Sequence, residues 1–281
     1  MTIRKVKSNV ALTNSGNLEI FFIGAGSAFS KKNFQTNILI VKGSDHLLVD
    51  CGTLCSYALT QYNCKIADIQ NILITHSHAD HIGGLEEVAL TGRYISNRKT
   101  KLFITDEYKK ILWDQSLKGG CSYGEYVDKG FMSFDDYFTQ VRPEFISDSP
   151  RPLYRTKVGS IDIKLYRTKH IPDTAGTWEN SFYSVGILID DRILFPGDTK
   201  FDKELLDWMF ACYPIEWVFH DCQFFGGGVH ASYEELKTLP DDMKKNMFLC
   251  HYGDNFKNFN PLNDGFAGFA CRGHYYDFGR T

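Results

Sequence analysis

The sequence predicts an α/β fold of the αββα kind, two mixed sheets packed face to face with helices on the outer faces. Three observations carry that expectation. Short runs rich in β-branched and aromatic residues recur in both halves of the chain, helix-compatible stretches follow several of them, and the second half repeats the style of the first. With 281 residues, 43% of them hydrophobic and 23% charged, the chain can bury a full core and is too apolar to stay disordered. Sets of strands that cover each other make one domain, residues 1–281, rather than two.

The elements follow in order. Residues 18–23, 37–41, 46–50, 71–75 and 101–105 read as strands. Residues 53–62 and 82–91 read as helices behind Gly- or His-rich turns, and 106–113 opens with Asp106 and Glu107, which suit a helix N-terminus. In the second half, strands are expected at 161–166, 183–189, 193–195, 216–220 and 247–251, separated by helices at 202–210 and 232–239. Between the halves lies 113–152, with three prolines, four glycines and a run of aromatics: Trp113, Tyr123, Tyr126, Phe131, Phe134, Tyr137, Phe138 and Phe145. It reads as an inserted cap or dimerisation segment.

Composition excludes several classes. Thirty-one basic against 34 acidic residues leave a net charge of −3, so a general nucleic-acid coat protein is excluded and no stable nucleic-acid partner is expected. The apolar runs fall far short of the roughly 20 residues that span a bilayer, and the start of the chain has no apolar signal region. A cytoplasmic protein without a membrane partner is expected. Eight cysteines form no CxxC pair, which argues for reduced, structural thiols.

The decisive segment is NILITHSHADHIGG, residues 71–84. An apolar strand runs straight into His76, His78, Asp80 and His81. Spacings of two, two and one do not make a helical stripe; they suit a turn at a strand end that directs its side chains inward. Imidazole and carboxylate donors suit zinc, and also iron or manganese. This stretch resembles the HxHxDH signature of the metallo-β-lactamase fold. The resemblance implies that His76 and His78 hold one metal with a later histidine, while Asp80 and His81 hold a second. Later partners stand in the expected order, each after an apolar strand: His170 in KLYRTKHIPD, Asp198 in ILFPGDTK and His251 in MFLCHYGD. Asp198 would bridge two Zn²⁺ ions, with Mn²⁺ or Fe²⁺ as substitutes, and paired ions activate water against a phosphoryl or carbonyl group. His46, in a turn between strands, and His274, near the end of the chain, are left out.

Within that fold the chain resembles the ribonuclease-Z-like phosphodiesterases at residues 20–29, where Gly24 and Gly26 would let backbone approach the site, and at 197–199, 217–224 and 229–236. The likeness implies that Asp221 orients His230 and that His230 protonates the leaving oxygen; with Asp80 they form the catalytic group. Asp221 stands where a glutamate is frequent, which shortens the relay by one methylene. LWDQSLKGG (112–120) and SFDDYF (133–138) resemble the anti-Pycsar cyclic nucleotide phosphodiesterases of phages and their bacterial relatives. Membership would imply hydrolysis of 3′,5′-cyclic nucleotides, cyclic pyrimidine nucleotides included, to monophosphates, silencing antiphage signalling. It would also imply a homodimer whose partner helps build the pocket. Cap aromatics would offer stacking faces to one base. Two rivals remain: a tRNA 3′ endonuclease, which needs an arm and a basic surface, and a mononuclear iron redox protein or inactive regulator, which lacks the second metal.

Overall fold

The computed structural model describes residues 1–124, 126–127 and 130–280. Two eight-stranded sheets dominate it. The first runs from edge to edge through Thr2–Lys5, His274–Asp277, Glu19–Gly24, Asn37–Lys42, Asp45–Val49, Asn71–Leu73, Thr100–Phe103 and Phe138–Val141. The second runs through Glu144–Ser147, Leu153–Val158, Ile161–Arg167, Val185–Ile189, Ile193–Phe195, Trp217–Asp221, Met247–Cys250 and Gly268–Phe269. Among these residues no helix is long and apolar enough to cross a membrane.

Alternation along the strands sorts the core into layers. Ile20, Phe22, Ile38, Ile40, Leu47 and Leu73 of the first sheet meet Ile161, Ile163, Ile187, Ile193, Phe195 and Phe219 of the second. Residues one step away point outward. Phe21, Leu39, Leu48 and Ile72 lie under Ala58, Leu59, Leu85, Val88 and Tyr108, and Leu188, Leu194, Val218 and Leu249 lie under Leu205, Leu206, Met209 and Leu236. Such a period of two, buried on both faces, requires covering helices on each outer side, so the expected αββα order is what forms. The helices begin where caps permit: Thr105 accepts from the Tyr108 amide, Asp202 from Leu205, and Ser232 from Glu235.

The 113–152 segment divides. Its residues 125, 128 and 129 lie outside the described part. Phe138–Val141 and Glu144–Ser147 are edge strands, one for each sheet. Phe134, Tyr137 and Phe138 are buried in the first outer layer. Tyr123, Tyr126 and Phe131 are exposed, and the two tyrosines each pack edge to face on Phe131, with centroids 5.2 and 5.5 Å away. Gly24 serves a contact other than the expected one: a Cβ there would stand 2.1 Å from the Gln35 carbonyl oxygen, so it lets its own turn close, not the site.

Phe219 ties the layers together, with ring centroids 5.1 Å from Phe22, 5.6 Å from Phe248 and 5.0 Å from Tyr276. Phe219→Ala is expected to cost about 3–5 kcal/mol, seen as a lower urea midpoint with an unchanged slope.

Candidate metal centre

Strand direction decides where polar residues gather. Asp45–Val49, Asn71–Leu73 and Thr100–Phe103 run parallel, as do Ile193–Phe195, Trp217–Asp221 and Met247–Cys250. Ile161–Arg167, two antiparallel steps from Ile193–Phe195, shares the latter's direction. The residues after these strands therefore emerge at one end of the sandwich. They include His76 to His81, His170, Asp198 and His251, and Asp221, the last residue of its strand, joins them.

The loop after Asn71–Leu73 turns into a single helical turn, Ala79–Ile82. Backbone contacts fix that turn: Cys51 donates its amide to the His81 carbonyl at 2.7 Å, and Asn37 Nδ2 donates to the Asp80 carbonyl at 3.2 Å. Gly52 admits the approach, since a Cβ there would stand 2.0 Å from the Asp80 carbonyl oxygen.

All seven expected donors converge in two sets that share Asp198. In the first, His78 Nδ1 lies 2.9 Å from His76 Nε2 and 3.3 Å from His170 Nε2, and each of those two nitrogens lies 3.9 Å from Asp198 Oδ2. In the second, His81 Nε2 lies 3.1 Å from Asp80 Oδ2 and 3.2 Å from Asp198 Oδ2, which lies 3.3 Å from His251 Nε2. A cation bound at about 2.0–2.2 Å holds neighbouring donors roughly 3–3.5 Å apart; the contacts of His81 and His251 in the second set fall in that range, Asp198 Oδ2 stands somewhat further from the first, and within each set all donor atoms lie within 4.8 Å of one another, so each could hold a metal ion.

Protonation also fits a cation. His170 Nδ1 donates to the Val229 carbonyl at 2.8 Å, and burial pushes the ring down to about 4, so its Nε2 offers a lone pair. Burial, with the nearby His81 charge, also holds His76 well below the usual histidine range. Neutral imidazoles aimed at one point are what metals bind. For His81, burial works against a proton but Asp198, Asp50 and Asp80 outweigh it. Three carboxylates around one buried ring mark an excess of negative charge that a cation would offset.

Asp50 escaped the sequence reading. Its Oδ2 accepts from His81 Nδ1 at 2.7 Å and from Thr75 Oγ1 at 2.8 Å, while Oδ1 accepts from the Thr75 amide at 2.8 Å. Thr75 Oγ1 in turn lies 3.1 Å from His76 Nδ1. One carboxylate thus orients a ring in each donor set. The available signal was an aspartate directly ending the apolar run LLVD. His46 is instead structural, its Nε2 accepting from the Gln70 amide, and His274 bonds locally to Arg272.

Beside the donors stands a second pair. His230 Nδ1 lies 2.9 Å from Asp221 Oδ2, which also accepts from the Thr199 amide at 3.1 Å. The shorter aspartate therefore reaches. Three clefts meet at the cluster. One, of about 330 Å³, is lined by His76, His78 and His170 with Ile111, Gln115, Phe182 and Tyr183. A second, of about 400 Å³, ends on His230 and His251 and carries Phe29, Phe225 and Asn255. A third, of about 380 Å³, lies over the donors between Phe29, His78, Asp80, Asp198, His230 and His251. The aromatic rings at the clefts thus come from other parts of the chain than the cap.

A sequence profile described as "Anti-Pycsar protein Apyc1" matches residues 18–276. A Bacillus phage BSP38 protein so described is 39% identical over 264 residues, 92% of this chain and 97% of its own. Among solved structures, the metallo-β-lactamase fold protein YhfI from Bacillus subtilis superposes with a TM-score of 0.66 at 15% identity, covering 93% of this chain and 99% of that one. A diphosphatase from the PhnP family does so with a TM-score of 0.66 at 12% identity, covering 93% and 98%. The fold is thus that of the metallo-β-lactamases.

Asp50→Asn keeps the shape but removes the charge that sets two ring orientations. It is expected to weaken metal affinity about 10–100-fold, measured by competition with a chromophoric chelator.

Proposed function

The chain belongs to the anti-Pycsar protein Apyc1 family, and from that premise we propose that it is a di-zinc phosphodiesterase opening 3′,5′-cyclic nucleotides, cyclic pyrimidine nucleotides included, to nucleoside monophosphates. The observation that carries this reading is a single carboxylate oxygen, Asp198 Oδ2, common to two donor sets, with an Asp221-backed imidazole beside it.

His76, His78 and His170 would hold one ion and Asp80, His81 and His251 the other, with Asp198 common to both. Bound there, such ions polarise a phosphoryl oxygen and lower the pKa of water. Burial works against ionisation of Asp80, yet the His81 and His251 rings hold it at about 2, so it remains a carboxylate. With its Nδ1 committed to Asp221, His230 turns Nε2 away from that carboxylate, free to give a proton to the departing ribose oxygen as water adds to phosphorus. A ribose alkoxide is a poor leaving group, so this transfer is worth roughly 10²–10⁴-fold.

Cleft size supports a small substrate. Volumes of about 330 and 400 Å³ suit one mononucleotide, and the anti-Pycsar description of the relatives supports a cyclic one. The working unit in this reading is a homodimer, with the exposed Tyr123, Tyr126 and Phe131 cluster as the surface a second copy covers.

Zinc-loaded protein is expected to convert cyclic CMP, UMP, AMP and GMP to monophosphates, and a chelator to stop it. Asp198→Asn should abolish turnover and lower the metal content from two ions per chain. His230→Ala should lower kcat roughly 10²–10⁴-fold with both ions retained. Absence of product from all four nucleotides, cleavage of a precursor tRNA instead, or one iron per chain by elemental analysis would overturn the reading.

A further inference from the structure

Three clefts meet at the donor cluster, and the chemistry assigned to His230 chooses among them. If His230 protonates the departing ribose oxygen, the ribose sits beside His230, and the base attached to it extends along the clefts that His230 lines. There are two of these: one lies over Asp80, Asp198 and His251, the other carries Phe225, and Phe29 lines both. The third, with Phe182 and Tyr183, opens beside His76, His78 and His170, without His230.

Phe29 and Phe225 are 87% and 66% exposed, and neither stacks on another ring among the described residues; Phe182 in the third cleft, 69% exposed, shares this, so the choice falls to the place of His230. The adjacent Phe224, by contrast, lies flat on Phe259 with centroids 4.0 Å apart. Large apolar rings left in water at the mouth of a cleft lose favourable burial unless a ligand covers them.

Both rings are also held in place. Phe29 sits in a loop fastened by one carboxylate: Asp254 accepts from Ser30 Oγ at 2.6 Å, from the Lys31 amide at 2.9 Å and from the Lys32 amide at 3.3 Å. Ser27, at the near end of that loop, donates its amide to the Tyr252 carbonyl at 3.0 Å. The Phe225 loop is drawn in by Gln223 Nε2, which donates to the carbonyls of Phe225 and Gly227. Fixed loops carrying unpartnered rings are preorganised for a flat ligand.

We propose that Phe29 and Phe225 form the nucleobase subsite of this enzyme and that Asp254 is the positioning residue holding Phe29 there. The assignment rests on the phosphodiesterase reading above. Recognition through ring faces tolerates any base, because every base has a π-face.

The test reads binding and turnover separately. Fluorescent etheno-cyclic AMP is titrated into zinc-loaded His230→Ala protein, the slow variant expected to keep both ions, alone and combined with Phe29→Ala, Phe225→Ala, Phe182→Ala or Asp254→Ala. Turnover of cyclic AMP and of methyl 4-nitrophenyl phosphate, which lacks a base, is measured with His230 in place. Phe29→Ala and Phe225→Ala are each expected to weaken binding and raise KM for cyclic AMP about tenfold, with activity on the base-free ester unchanged and Phe182→Ala nearly silent. Asp254→Ala should raise KM and leave kcat in place, and Phe29→Trp should restore binding. Loss of affinity in Phe182→Ala instead, unchanged affinity in both cleft variants, or no binding by the parent protein overturns the subsite. Binding that depends on Phe29 and Phe225 without turnover of any cyclic nucleotide overturns the phosphodiesterase reading and leaves the subsite standing.

Discussion

Asp198 Oδ2 lies within 3.2–3.9 Å of ring nitrogens from His76, His81, His170 and His251, and much of the fold can be understood as what brings and keeps it there. A carboxylate this deeply buried is costly without positive partners. The partners come from three separate strand ends, and Asp198 itself from a fourth. They can meet because both sheets contain a parallel block whose ends open on the same side, and because the inner apolar faces fix how the two sheets lie on each other. Packing of Phe22 against Phe219, some distance along the sandwich, thus helps set the spacing of two donor sets.

Around the donors, a further ring of groups decides which nitrogen carries a proton. Asp50 does so for His81, and through Thr75 for His76; the Val229 carbonyl does so for His170. His251 differs, since its Nδ1 is buried with no partner. The orienting contacts all come from backbone or side chains of the same strand-end loops, so folding of the end of the sandwich and readiness to bind cations are one event.

That these seven side chains would meet was legible because the HxHxDH cluster leaves few other readings, and His76 and His251 follow apolar runs with a residue type that metals favour. The central strands were legible too, their hydrophobic runs being long and uninterrupted. Asp50 was not, because an aspartate at a strand end is also an ordinary turn residue, and its role depends on a residue 31 positions away. Thr2–Lys5 and Glu144–Ser147 were hidden by exposure: an edge strand with polar faces leaves no apolar period to read. The aromatics of 113–152 misled in another way. Counting rings does not tell which way they point, and Phe134, Tyr137 and Phe138 turn inward to the outer core, while the rings beside the cluster, Phe29, Phe182 and Phe225, come from loops outside the cap.

Thr199 follows Asp198 directly, and its amide donates to Asp221 while its carbonyl accepts from the Ala231 amide. The His230–Asp221 pair and the carboxylate common to both donor sets are therefore parts of a single braced unit. Phe29 and Phe225 hang from other fastenings, Asp254 and Gln223. Substitutions can alter the hanging loops one at a time while the braced unit is inherited intact, so this architecture separates what must stay fixed across generations from what is free to diversify.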